Sequence, residues 1–203
     1  MTTGREDLPS ELRHLMDAID ACERDAEALV AGMSDEEINW QEKPGETWSV
    51  AECIDHLTVI NPFYLRGFIP LVETARQQRT GPFRGLSSST AGRWFVRVLE
   101  PPMKTKTKAR PEMRPRSNLR REGLVEAFKK SHDSYRALVQ QCAEVDVNRV
   151  KGPNPFFRFI PMRISTVLQI IPAHDRRHLW QAKNVKDALR AAPPRLRRTQ
   201  SDS

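Results

Sequence analysis

The chain has 203 residues, 38% of them apolar, which is enough for one domain with its own core; no apolar run approaches the roughly 20 residues of a membrane-spanning helix. Its net charge of +7 is localised: Lys104 to Arg121 holds eight bases against Glu112, Arg190 to Ser203 holds four against Asp202, and 21 bases and 24 acids remain elsewhere. The body is therefore not basic, and two proline-bearing stretches without aromatic interleaving argue against a specific nucleic-acid partner, as the missing span argues against a membrane.

In chain order, Leu12, Leu15, Met16, Ile19, Ala26 and Leu29 recur at helical intervals between Leu8 and about Val30, and Gly32 offers a stop. Ser34 with Glu37 has capping-box spacing for one turn toward Trp40, and Pro44-Gly45 marks a turn. Ser49 with Glu52 repeats the box ahead of Val50, Cys53, Ile54 and Leu57, where a second helix begins, and Pro62 and Pro70 are expected to kink or end it. An irregular basic insert follows over 77–118, with one short helix over Arg93 to Leu99. Leu124, Phe128, Ser131, Tyr135, Leu138 and Cys142 alternate steps of four and three, the stripe of a third helix. The fourth runs from about Ser165 to Leu189, with Leu168, Ile171, Ala182, Val185 and Leu189 on one side. The fold class expected is all-α, a single domain over 1–190 built as an antiparallel four-helix bundle with a long crossover connection between helices 2 and 3, then a flexible basic tail over 191–203.

The amino-terminal MTTGREDLPSEL is charged and does not read as a secretory signal. An odd number of cysteines, Cys22, Cys53 and Cys142, each within an apolar-periodic segment, fits buried free thiols in a reducing cytoplasm.

The chemistry of the chain concentrates in histidines. His174 and His178 are four residues apart in PAHDRRHLWQ and share one helix face, the side that carries the apolar stripe. Imidazoles buried there without partners would cost about 1–3 kcal/mol each. One divalent ion satisfies both if a third ligand arrives, and His56, in TWSVAECIDHL, is the candidate. The alternative for each histidine is a backbone carbonyl or a buried carboxylate. HDRRH also comes near the H-E-x-x-H pattern of zinc proteases, but Asp175 is a methylene shorter than glutamate and LWQAKNVKDAL lacks the metzincin glycine and third histidine.

Four runs, INWQEKPGETWSVAECIDHL, GPFRG, GRWFVRVLEPP and AHDRRHLWQA, resemble the DinB/YfiT-like superfamily over most of the chain, from about Leu8 to Val185. That resemblance implies a four-helix bundle whose metal is held by one histidine of the second helix and an HxxxH pair of the fourth, here His56, His174 and His178. Many relatives carry glutamate where Asp175 stands. The resemblance further implies an enzyme of thiol S-transferase or isomerase type that uses a low-molecular-weight thiol, with metal-assisted hydrolysis as the other chemistry. Three imidazoles leave an open position of the catalytic kind, suited to zinc and also to nickel or iron. A noncatalytic bundle, binding a small ligand or serving as a stress-related interaction module, is the competing expectation. The expected partners are a small-molecule substrate and a second copy in a homodimer.

Around these ligands, Glu52 could orient His56, although its cap role explains it as well. Asp55 and Asp175 flank ligands and could serve as acid or base, with Asp175 a candidate to support the site or touch substrate. Side chains adjacent on a helix point about 100° away from the ligand face, however, which favours solvated surface positions. Arg177, or its neighbour Arg176, could clamp a substrate carboxylate. Trp40, Trp48, Trp94 and Trp180 are expected in the core or a pocket wall, and His14 and His132 as ordinary polar or partly buried positions.

Overall fold

The computed structural model describes residues 4–102, 109–154 and 161–193. The lysines at positions 104–108 lie outside them, as do positions 194–203 of the tail expected over 191–203, whose first residue, Ala191, belongs to the last helix. Among the described residues the fold is all-α apart from one two-stranded hairpin, and no helix is long and apolar enough to cross a membrane.

Helix α1 spans Ser10–Val30 and buries the predicted stripe. Gly32 follows it at φ +72°, the left-handed conformation that ends a helix cheaply only at glycine. The carbonyls of its last turn are not left to solvent, because Lys186 Nζ reaches across from the final helix to donate to those of Ala28 and Leu29. Helix α2 (Asp35–Asn39) and helix α3 (Val50–Arg66) both start at the capping boxes read from sequence, Ser34/Glu37 and Ser49/Glu52. Pro62 stays inside α3, and the chain breaks only at Gly67. Pro70 then sits in the first turn of α4 (Ile69–Gln77), where its missing N–H costs nothing. Inside the insert, α5 covers Thr90–Leu99, three residues longer than expected because Ser89 caps it, its Oγ accepting from the Gly92 N–H.

The predicted third helix is two, α6 (Leu124–Ser131) and α7 (Asp133–Cys142), joined at His132. At that joint the Ser131 hydroxyl donates to the Phe128 carbonyl at 2.6 Å, while the His132 N–H tightens onto the Lys129 carbonyl, three residues back. Strands β1 (Lys151–Gly152) and β2 (Met162–Arg163) pair antiparallel before α8 (Ile164–Ala191). Two residues per strand are too few for alternation to show in a sequence.

Helix α8 packs against α1, α3 and α5, while α6 and α7 pack against α1 and α3. From Ile164 to Leu179 it is therefore buried on nearly all sides, and only Gln169 and Arg176 reach partial exposure. Its contact with α5 is close: a Cβ on Gly92 would lie 2.7 Å from Thr166 Oγ1. Turning that face inward leaves Trp94 62% exposed, so this tryptophan is not the core residue expected of it.

Pro172, within α8, has no N–H for the carbonyl of Leu168 one turn earlier. The buried Tyr135 hydroxyl of α7 donates to that carbonyl instead, at 2.6 Å. Tyr135→Phe should leave the carbonyl unpaired and lower stability by about 1–3 kcal/mol in urea unfolding followed by circular dichroism. Unchanged stability would mean that the carbonyl is satisfied some other way.

Candidate metal centre

Helix α3 supplies His56 two turns after its cap, and α8 supplies His174 and His178 one turn apart. All three are buried, with a ligand atom from each lying within 4.8 Å of the others. The Nε2 atoms of His174 and His178 are 3.2 Å apart. Two nitrogens bound tetrahedrally to one zinc at about 2.0–2.1 Å sit about 3.3 Å from each other, so this pair matches such a site.

The tautomers follow from the hydrogen bonds. His56 Nδ1–H donates to the Met113 carbonyl at 2.7 Å, and His178 Nδ1–H donates to Gln181 Oε1 at 3.1 Å. Both rings therefore present an Nε2 lone pair, the form that binds metal. His174 Nδ1 is buried with no hydrogen-bond partner among the described residues, and its Nε2 meets only the Nε2 of His178. Burial, followed by the mutual repulsion of the imidazoles and Arg177, holds His174 and His178 well below the usual histidine range. Burial also lowers His56, against the opposing pull of the Met113 carbonyl. A cluster of uncharged imidazoles fits a divalent cation.

Aromatic rings close the cluster off. The Trp48 centroid lies 4.8 Å from that of His56 and 5.6 Å from that of His178, and Tyr64, two turns beyond His56, meets His174 edge-on at 5.8 Å. Two cavities elsewhere, of about 260 Å³ beside Leu71 and Arg149 and about 100 Å³ beside Glu37 and Lys186, are not lined by these histidines.

Of the carboxylates, Glu52 takes the favoured cap role: it accepts from the Ser49 N–H, Gln41 and Ser117, and the Met113 carbonyl takes the imidazole proton of His56. Asp55 and Asp175 are not surface groups: each is at most 1% exposed, because neighbours cover the sides of α3 and α8 that a lone helix would leave wet. Asp55 pairs with Arg116. Arg177 is also buried, donating to the Val98 carbonyl at 3.0 Å, whereas Arg176 is partly exposed and pairs with Glu100.

His132 is the largest departure. It is fully buried, with Nε2 2.9 Å from Asp175 and Nδ1 2.8 Å from Glu23. Arg136 joins Glu23 to Asp20, and Arg5 follows, so charges of alternating sign run from Asp175, next to His174 in the chain, to the surface. Asn61 Nδ2 also donates to Asp175, at 3.1 Å. His14 is exposed, as an ordinary polar position. Of the residues not singled out from sequence, Gln181 lies three residues, one helical turn, after His178, and Tyr64 lies eight residues, about two turns, after His56. Met113 had no such signal, since it acts through its backbone.

With this geometry in view, a family model described as the DinB superfamily matches residues 18–182, and the chain belongs to that superfamily. All three histidines fall within the match. No curated protein and no solved structure matches the chain.

Burial opposes a charge on His132, but Asp175 and then Glu23 outweigh it and hold its pKa above the usual histidine range. The stabilisation from this ion pair is thus complete below about 6.5 and is lost as pH rises through the folded-state value. Urea unfolding between pH 6 and 9 should show the wild type losing its advantage over His132→Gln as pH increases. A constant difference would mean that His132 does not titrate between its two carboxylates.

Proposed function

We propose that the protein is a metal-dependent enzyme using a low-molecular-weight thiol, of S-transferase or isomerase type, with one divalent ion held by His56, His174 and His178. Zinc suits the donor set best, and nickel and iron are compatible with it. The observation that carries this reading is the convergence of three buried, uncharged imidazoles from two helices that are distant in sequence. Three protein ligands leave a position for an exogenous group, and a divalent ion supplies the Lewis acidity that keeps a thiol or a water deprotonated near neutral pH.

The chain's own thiols do not supply a nucleophile. All three cysteines are buried and free, and burial pushes them up, Cys142 to about 12. The thiol would therefore come from outside, and reduced cysteines also fit the cytoplasm. Trp48 and Tyr64 shield the imidazoles from water, and Arg177, buried near His174 and Tyr64, places a positive charge where an anionic thiol or substrate carboxylate would be held. Trp94 and Val98 leave apolar surface on α5 of the kind a second copy covers in a homodimer.

A noncatalytic centre is the second reading, favoured by the Trp48 and Tyr64 rings packed against the imidazoles. Elemental analysis of purified protein should find one divalent ion per chain, and His178→Ala should lose it while helical circular dichroism persists. Collapse of the helices in that variant would instead indicate a structural metal. Incubating the metal-loaded protein with thiols and electrophiles should consume thiol, and no consumption across a broad panel would eliminate the transferase proposal.

A further inference from the structure

We infer that Asp55 and Arg116 are positioning residues for the metal centre, acting on His56 through the Met113 carbonyl; this rests on the metal reading above. The three imidazoles are not oriented alike. His178 is fixed by Gln181 on its own helix, whereas the group that fixes His56 belongs to the insert, 57 residues further along the chain.

That group is a backbone carbonyl at the end of a single 3-10 turn, Pro111–Met113. One such turn does not hold its own place, and contacts just beyond it provide the anchor. The Arg116 N–H donates to Asp55 Oδ2 at 2.7 Å, and its guanidinium donates to Oδ1 through Nη2 at 2.6 Å and Nε at 3.1 Å. Ser117 Oγ adds a bond to Glu52 Oε1 at 3.0 Å. Asp55 precedes His56 directly, so one turn of α3 carries both the ligand and the clasp for the carbonyl that aims it.

The Arg116 side chain is 69% exposed and Asp55 is 1% exposed. The pair is thus open only on its arginine side, and the buried carboxylate depends on these donors. The effect of the pair is geometric: three donors on one carboxylate fix the register of the strap, and with it the distance from the Met113 carbonyl to His56. Groups that orient a ligating histidine commonly change metal affinity about 10–100-fold when altered. The carbonyl itself cannot be deleted by substitution, which makes the clasp the residue-level handle on it.

The full-length wild type, Asp55→Asn and Arg116→Gln should be titrated with zinc against a chromophoric chelator and with cobalt by visible absorption, alongside thermal unfolding of each metal-free protein. Asp55→Asn is expected to weaken zinc binding about tenfold and to shift the cobalt bands, which report donor geometry and not fold stability. Arg116→Gln should weaken it less, because the backbone N–H bond remains, and any fall in its melting temperature is read separately from the cobalt bands. Wild-type affinity and an unshifted cobalt spectrum in Asp55→Asn would overturn the inference and leave the metal reading intact. If Asp55→Asn does not fold, wild-type affinity in Arg116→Gln overturns it in the same way. A wild type that binds neither ion removes the metal reading itself, and this inference with it.

Discussion

From Ile164 to Leu179, α8 is enclosed by three other helices, and each polar residue buried there must find its partner inside the protein. An unpaired buried polar group costs about 1–3 kcal/mol, so this requirement reaches well beyond the helix itself. Asp175 draws in His132 and Asn61, Arg177 takes the Val98 carbonyl, Thr166 meets Ser88, and Tyr135 covers the Leu168 carbonyl freed by Pro172. Among the described residues His174 Nδ1 stays unmatched, and its ring stands where three imidazoles converge.

The same constraint links the core to the periphery. A carboxylate at the centre of the bundle calls for a cation, and His132 provides it at the joint between α6 and α7. A second carboxylate, Glu23, helps to keep that imidazole charged, and Arg136, Asp20 and Arg5 carry the alternation outward. The chain of charges fastens α1, α7 and α8 to each other next to the candidate metal centre. Its inner members have lost their hydration and depend on each other.

The insert between α4 and α6 looks detachable by composition, yet it contributes to the site at several points. Met113 orients His56, Arg116 clasps Asp55, Ser88 and Val98 satisfy groups of α8, and Glu100 pairs with Arg176. These contacts are made by carbonyls, hydroxyls and charged tips, not by a buried stripe. Periodicity therefore says little about the region, although α8 could not be enclosed without it.

Local physics determined what was legible in the sequence. Both capping boxes, the α1 stripe, the extent of α8 and the pairing of His174 with His178 follow from hydrogen-bond reach and from 3.6 residues per turn, which neighbours in sequence fix among themselves. The involvement of His56 could be proposed, since a buried imidazole pair needs a further ligand and the DinB-like runs placed it. Tertiary structure decided the rest: that Asp55, Asp175 and Arg177 are interior, that His132 is an ion-paired core residue, that Trp94 faces out, and that Met113 aims His56. Each of these depends on which surfaces come to face one another, and a sequence read one helix at a time contains no term for the burial its neighbours impose.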